Sequence, residues 1–96
     1  MAIKVLEAGD QQVQIQNICA DNLTDVIASE TLDWADYIVP DSGLARFRRD
    51  MNANFAQLNT DLTVAGIVTM GEGDSWFKCR DICKANWALV DAVVNP

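Results

Sequence analysis

The fold is decided by the stretch Arg49-Asp50-Met51-Asn52-Ala53-Asn54-Phe55-Ala56-Gln57-Leu58. Its apolar residues belong to a longer series in which every step is three or four residues, which is the spacing of one face of an α-helix. The same series returns 32 residues later. The two stripes consist of Leu44, Phe47, Met51, Phe55, Leu58 and Leu62, and of Trp76, Cys79, Cys83, Trp87, Val90 and Val94. The sequence therefore predicts two long amphipathic helices.

A third copy of this pattern precedes the other two. Shifting the sequence by 32 residues places Asn54 on Asn22 and on Asn86. A large apolar residue follows each asparagine: Leu23, Phe55 or Trp87. The 96 residues thus divide into three units, 1–32, 33–64 and 65–96, of a single repeat domain. In the first unit the central stripe Ile15, Cys19, Leu23 and Val26 is kept, but residues 12–16 also alternate like a strand, which leaves the start of that helix open.

Each predicted helix is preceded by a short apolar stretch and a turn. The stretches are Ile3–Leu6, Tyr37–Val39 and Gly66–Met70, which we expect to form short strands or extended arms. The turns offer Asp10, Asp74 and either Asp41 or Ser42 as helix N-caps. The expected fold class is mainly α with a minor β part. It consists of three repeated units of short strand, Gly/Asp turn and helix that form a bundle, with a trimer as one possible assembly.

The three asparagines fall inside the apolar stripes, beside a predicted core of Cys19, Leu23, Val26, Met51, Phe55, Leu58, Cys83, Trp87 and Val90. A buried amide without a partner is costly, so Asn22, Asn54 and Asn86 must bond to one another, to backbone groups or to water. One interpretation is a polar layer that fixes helix register, for which Asn86→Leu would raise the melting temperature and broaden the oligomer distribution. The other is that each asparagine lies at the edge of its stripe and faces solvent.

The charge of the chain restricts its partners. Residues 1–45 carry eight acidic residues and only Lys4 as a base, whereas residues 46–96 carry six charges of each sign. The net charge of -7 disfavours nucleic acids and anionic membranes, and favours a basic protein surface. No apolar run is long enough to cross a bilayer and the first residues do not form a signal peptide, so we expect synthesis in the cytoplasm.

The sequence offers no constellation that is typical of an enzyme. It contains no histidine, and its three cysteines are widely spaced. Cys79 and Cys83 could form half of a metal site or a redox pair, but small buried thiols are the simpler interpretation. Gly71-Glu72-Gly73-Asp74 has an acid where a phosphate would lie, so it is expected to be a turn. We expect no enzymatic activity, no metal and no cofactor.

Two groups of residues are candidates for contact with a partner. Trp34 and Tyr37 lie in an acidic connection, where they either fold back on the core or remain exposed. Arg46, Arg48 and Arg49, together with Asp50, form the only basic cluster. This cluster is either a solvated face with local ion pairs or a docking site for an acidic neighbour, including the acidic half of another copy.

The central unit also resembles a known class of sequences. Its segment Asn52-Ala53-Asn54-Phe55, followed by Leu58, is similar to the Asn-x-Asn-Phe-x-x-Leu helix that recurs in virion structural proteins of tailed bacteriophages. In those proteins, as in the third unit here at Gly73-Asp74, a Gly-Asp turn commonly precedes the helix. The first and third units lack the first asparagine of the motif, and the first keeps only Asn22 and the apolar positions.

The resemblance implies a non-enzymatic component of the virion that is made in the host cytoplasm. A capsid-associated decoration or head-fibre protein is the expected role, with the major capsid protein or other virion proteins as partners. Proteins of this class are often homotrimers, so a homo-oligomer is expected, although three helices of one chain would also satisfy the pattern. The alternatives are a tail-fibre or baseplate adaptor of the virion and, from another class, a small acidic cytoplasmic protein-binding module.

Overall fold

The structure is a computed structural model that describes residues 2–34 and 43–96. Three helices account for most of this part of the chain: α1 (Gln12–Ser29), α2 (Leu44–Leu62) and α3 (Trp76–Val94). Their first residues are spaced by 32 positions, as are the sequence stripes. The mainly helical fold class is thus confirmed, and residues 12–16 belong to a helix and not to a strand.

The three apolar stripes pack against one another and form the core. The twelve central side chains are buried at positions 32 apart: Ile15, Phe47 and Cys79; Cys19, Met51 and Cys83; Leu23, Phe55 and Trp87; Val26, Leu58 and Val90. Leu6, Val64 and Met70 complete the core from outside the helices. α3 packs against both α1 and α2, and the apolar faces of the helices share one core with these residues from outside the helices.

Ring contacts reveal the direction of α2 relative to α3. Phe47, near the start of α2, packs on Trp76 at the start of α3, with 5.0 Å between ring centroids. Phe55, further along α2, packs edge-on against Trp87, further along α3, at 4.9 Å. From the first ring contact to the second, both helices run towards their C-termini. α2 and α3 are consequently parallel, unlike neighbouring helices joined by a short loop.

α1 has the same direction as α3. The carbonyl of Ala8, just before α1, accepts a hydrogen bond from Arg80 in the second turn of α3. In the middle of both helices, the Trp87 indole N–H donates to the sulfur of Cys19 at 3.5 Å. A helix of 19 residues is about 28 Å long. The connection between α2 and α3 must therefore return along the length of the bundle.

The predicted strands are not present in the described ranges. Residues 3–6 and 66–70 contain no β-strand, because neither has a neighbouring strand with which to form a ladder. We refer to residues 3–6 and 67–70 as the first and third arms. The stretch Tyr37–Val39, predicted as the second strand, lies outside the described residues.

The predicted aspartate N-caps are also wrong where they are described. The N-caps are Gln11 for α1, Gly43 for α2 and Ser75 for α3. Asp10 and Asp74 instead accept hydrogen bonds from the backbone N–H groups of Glu7 and Gly71, each at 2.7 Å. Both carboxylates point back into the preceding turn, and each helix begins two residues after its aspartate. Asp41 and Ser42 lie outside the described residues.

Candidate functional site

Asn22 holds the first arm against α1. Its side-chain oxygen accepts from the Lys4 backbone N–H at 2.8 Å, and its side-chain NH2 donates to the Lys4 carbonyl at 3.0 Å. We call this paired contact of one amide with both backbone groups of one residue an asparagine clasp. It satisfies the amide of a fully buried side chain and supplies an arm residue with the two bonds that a strand partner would otherwise provide.

Asn86 makes the same clasp 64 residues later. Its amide bonds to the N–H and the carbonyl of Val68, both at 2.9 Å. Asn22 and Asn86 therefore bond to backbone, one of the three kinds of partner that the sequence left open. Asn54 is buried as well, and its NH2 lies 3.6 Å from the sulfur of Met51.

A third clasp comes from Asn52, which sequence reasoning did not select. Asn52 accepts from the Met70 N–H at 2.8 Å and donates to the Met70 carbonyl at 2.9 Å. The third arm is thus held by two helices, since α2 binds it at Met70 and α3 binds it at Val68. The signal that could have found Asn52 is its position as the first asparagine of the Asn-x-Asn-Phe motif.

Two arginines connect one helix to the turn that precedes another helix. Arg48 of α2 donates to the carbonyl of Asp74 at 2.8 Å, and Arg80 of α3 donates to the carbonyl of Ala8 at 2.7 Å. Arg48 and Arg80 are 32 positions apart. α3 consequently supports the entry to α1 by the same kind of contact with which α2 supports the entry to α3.

The three arginines predicted as a contact cluster line an open groove. This arginine groove has a volume of about 900 Å³ and is formed by α2 and the end of the third arm, with Arg46, Arg48, Arg49, Asn52, Met70 and Glu72 in its wall. Asp50, which the sequence places beside these arginines, is buried. The Nε atoms of Arg46 and Arg49 bond to the two oxygens of Asp50, at 3.4 and 3.2 Å. A single carboxylate thus orients two guanidinium groups that are 58% and 72% exposed.

Of the two aromatic residues predicted to contact a partner, Trp34 lies within the described part of the chain. Trp34 is half-buried, packs against the hydrophobic core, and donates its indole N–H to Asp61 of α2. Of the two alternatives for Trp34, the contact with the core is the one observed. Tyr37 lies outside the described residues.

The cysteines are buried and carry no disulfide. Burial raises the pKa of the Cys79 thiol from 9.0 to about 11. A hydrogen bond with Cys19, together with burial, raises the pKa of Cys83. Within residues 2–34 and 43–96 no group of three or more Cys, Asp or Glu side chains is placed to bind a metal ion. In the same ranges no helix has the length and apolarity required to cross a bilayer.

Comparisons with known proteins found no relative. The chain matches no protein-family model, no curated protein sequence and no solved structure.

The asparagine clasp reverses the expected effect of Asn86→Leu. The substitution removes both hydrogen bonds to Val68 and leaves the partly buried backbone N–H and carbonyl of Val68 without these partners. We therefore expect a loss of about 1–3 kcal/mol in the free energy of unfolding. Urea denaturation would measure it. Asn59→Leu, the same change at an exposed position of α2, should alter stability by less than about 0.5 kcal/mol. A more stable Asn86→Leu variant would contradict a stabilising role for the clasp.

The raised pKa of Cys79 predicts a loss of stability at alkaline pH. Because the folded state retains the thiol proton more strongly than the unfolded state, this contribution is complete below pH 9.0 and is lost as the pH rises through about 11. Cys79→Ala should therefore flatten the decline in unfolding free energy over this interval, by roughly 1–3 kcal/mol. Denaturant titrations at a series of pH values would measure the difference from the unmodified protein. Equal slopes for both proteins would refute the prediction.

Proposed function

We propose that this chain is a non-enzymatic structural protein of a tailed-bacteriophage virion, bound to the capsid as a decoration or head-fibre protein. The observation that carries the proposal is the use of the motif residues. Asn52 clasps the third arm, Asn54 and Leu58 are buried, and Phe55 packs on Trp87. The motif on which the resemblance rests is therefore a set of contacts that holds a helix, its neighbour and an arm together.

The proposal includes a repeated architecture. In it, the three units are structural repeats around an approximate threefold axis, and the chain is a single-chain counterpart of a trimeric fibre bundle. Parallel helices, burial at 32-residue intervals and the bonds of Arg48 and Arg80 to the turns before α3 and α1 support this arrangement. Because the three stripes cover one another within one chain, the expected homo-oligomer would have to form through the outer surfaces of the bundle.

Partner binding is the biochemical role that this architecture suits. The described core is filled by side chains that pack on each other, and the arginine groove lies on the outside of α2. A rigid bundle presents its surface to other proteins with little loss of conformational entropy on binding. We therefore propose the major capsid protein as the partner, with a location in the virion after synthesis in the host cytoplasm.

The proposed repeat predicts a new clasp at Lys84. Position 84 corresponds to Asn52 after a shift of 32, and Leu6 corresponds to Met70 after a shift of 64. Lys84 lies with Ile3 and Val5 around a cavity of about 120 Å³, so its backbone is close to the first arm. Lys84→Asn should clasp Leu6 and raise the free energy of unfolding by about 0.5–1.5 kcal/mol relative to Lys84→Ala, as measured by urea denaturation. Equal stability of the two variants would contradict the threefold correspondence.

The location in the virion can be tested by cross-linking purified phage particles with an amine-reactive reagent and identifying the products by mass spectrometry. Lys78 and Lys84 are exposed and should form bonds to the major capsid protein. The double variant Lys78→Arg and Lys84→Arg keeps both charges and should lose those products, which controls for chance reaction. Cross-links to tail components alone would indicate the adaptor role. Absence of the chain from the particles would indicate the cytoplasmic binding module.

A further inference from the structure

The arginine groove contains two cationic groups that are already oriented. The buried carboxylate of Asp50 binds Arg46 and Arg49 only at their Nε atoms. In the part of the chain that the structure describes, the terminal nitrogens of both guanidinium groups bond to no other side chain. The planar guanidinium fork matches the two oxygens of a carboxylate, and fixing it in advance reduces the entropy lost on binding. The groove is thus suited to acidic groups.

The chain itself carries a matching acidic surface. Asp21 and Asp25 are exposed on α1, one helical turn apart, and so lie on one face at a separation of about 6 Å. Asp21 forms a salt bridge with Lys4 at 2.6 Å, and the charge of Asp25 also acts on Lys4, although within residues 2–34 and 43–96 Asp25 forms no salt bridge. Arg46 and Arg49 are spaced by three residues on α2, which places them at a comparable separation. Two carboxylates on α1 therefore correspond in spacing to two guanidinium groups on α2.

The distribution of charge along the chain favours contact between these surfaces of different copies. The first 45 residues have a net charge of -7, while residues 46–96 are neutral overall and contain the three arginines. The acidic outer face of one copy is attracted to the groove of another, and screening by salt limits the repulsion between more distant charges. We propose that the arginine groove of one copy binds the acidic face of α1, at Asp21 and Asp25, of a second copy. This inference rests on the charges of the chain and not on the proposed place in the virion.

Sedimentation velocity of the full chain tests the proposal. At about 0.1 M salt, which screens the repulsion between distant charges, we expect a mass above 10.6 kDa that rises with protein concentration, and at about 1 M salt a return to the monomer. Self-association of Asp25→Arg or of Arg49→Glu should weaken by about tenfold or more. An equimolar mixture of these two variants should associate again, because the unchanged groove of the Asp25→Arg variant can bind the unchanged acidic face of the Arg49→Glu variant, and the two substituted positions carry opposite charges. Circular dichroism would establish that both variants remain folded.

Asp50→Asn separates orientation from simple charge. This variant keeps the shape of the side chain and makes the groove more positive, so charge alone would strengthen self-association. Because the carboxylate orients both guanidinium groups, we expect the Asp50→Asn variant to self-associate more weakly than the unmodified protein. Stronger association of Asp50→Asn would overturn the orienting role. A monomer at every salt and protein concentration, or a mixture of the two charge-reversed variants that fails to associate, would overturn the proposed interface.

Discussion

The structure depends on the hydrogen bonds that asparagine side chains make to the backbone of the arms. Because α2 and α3 are parallel, the segment between them returns along the bundle, and its N–H and carbonyl groups need partners. A second strand would supply them in a sheet. Here a single amide from a helix performs that role at Lys4, Val68 and Met70. With the arms fixed in this way, Leu6 and Met70 can close the core from outside the helices.

The helices could be predicted from sequence because their signal is repeated and strong. Steps of three and four residues define the stripes, and the burial of Phe55 and Trp87 follows from the same periodicity that places them on one face. The conformation of the arms could not be predicted in this way, because a short apolar stretch has the same composition in a strand as in an extended segment. Only the identity of the neighbouring element decides between them. That neighbour is a helix bearing an asparagine, which local sequence does not reveal.

The turns were predicted wrongly for a related reason. An aspartate before a helix can bond forwards to the first turn of the helix or backwards to the preceding loop, and sequence does not distinguish the two. Asp10 and Asp74 both bond backwards.

Of the candidate site, the sequence shows the arginine cluster but not the groove that the arginines line. Asp50 belongs to the same cluster, but its burial could not be predicted, because a charged residue beside exposed arginines is ordinarily expected to be exposed.

Departures from the 32-residue pattern coincide with the groove. Asp50 occupies the position of Ile18 in the first unit and Ile82 in the third, both of which are half-buried against the core. Arg49 likewise corresponds to Asn17 and Asp81, which cannot present a guanidinium group. The apolar positions that recur at 32-residue intervals form the core, so they constrain the shape of the bundle more than its partners. The residues that differ in the middle unit are free of that constraint, and their concentration around one carboxylate is the strongest reason to look for binding on that face of α2.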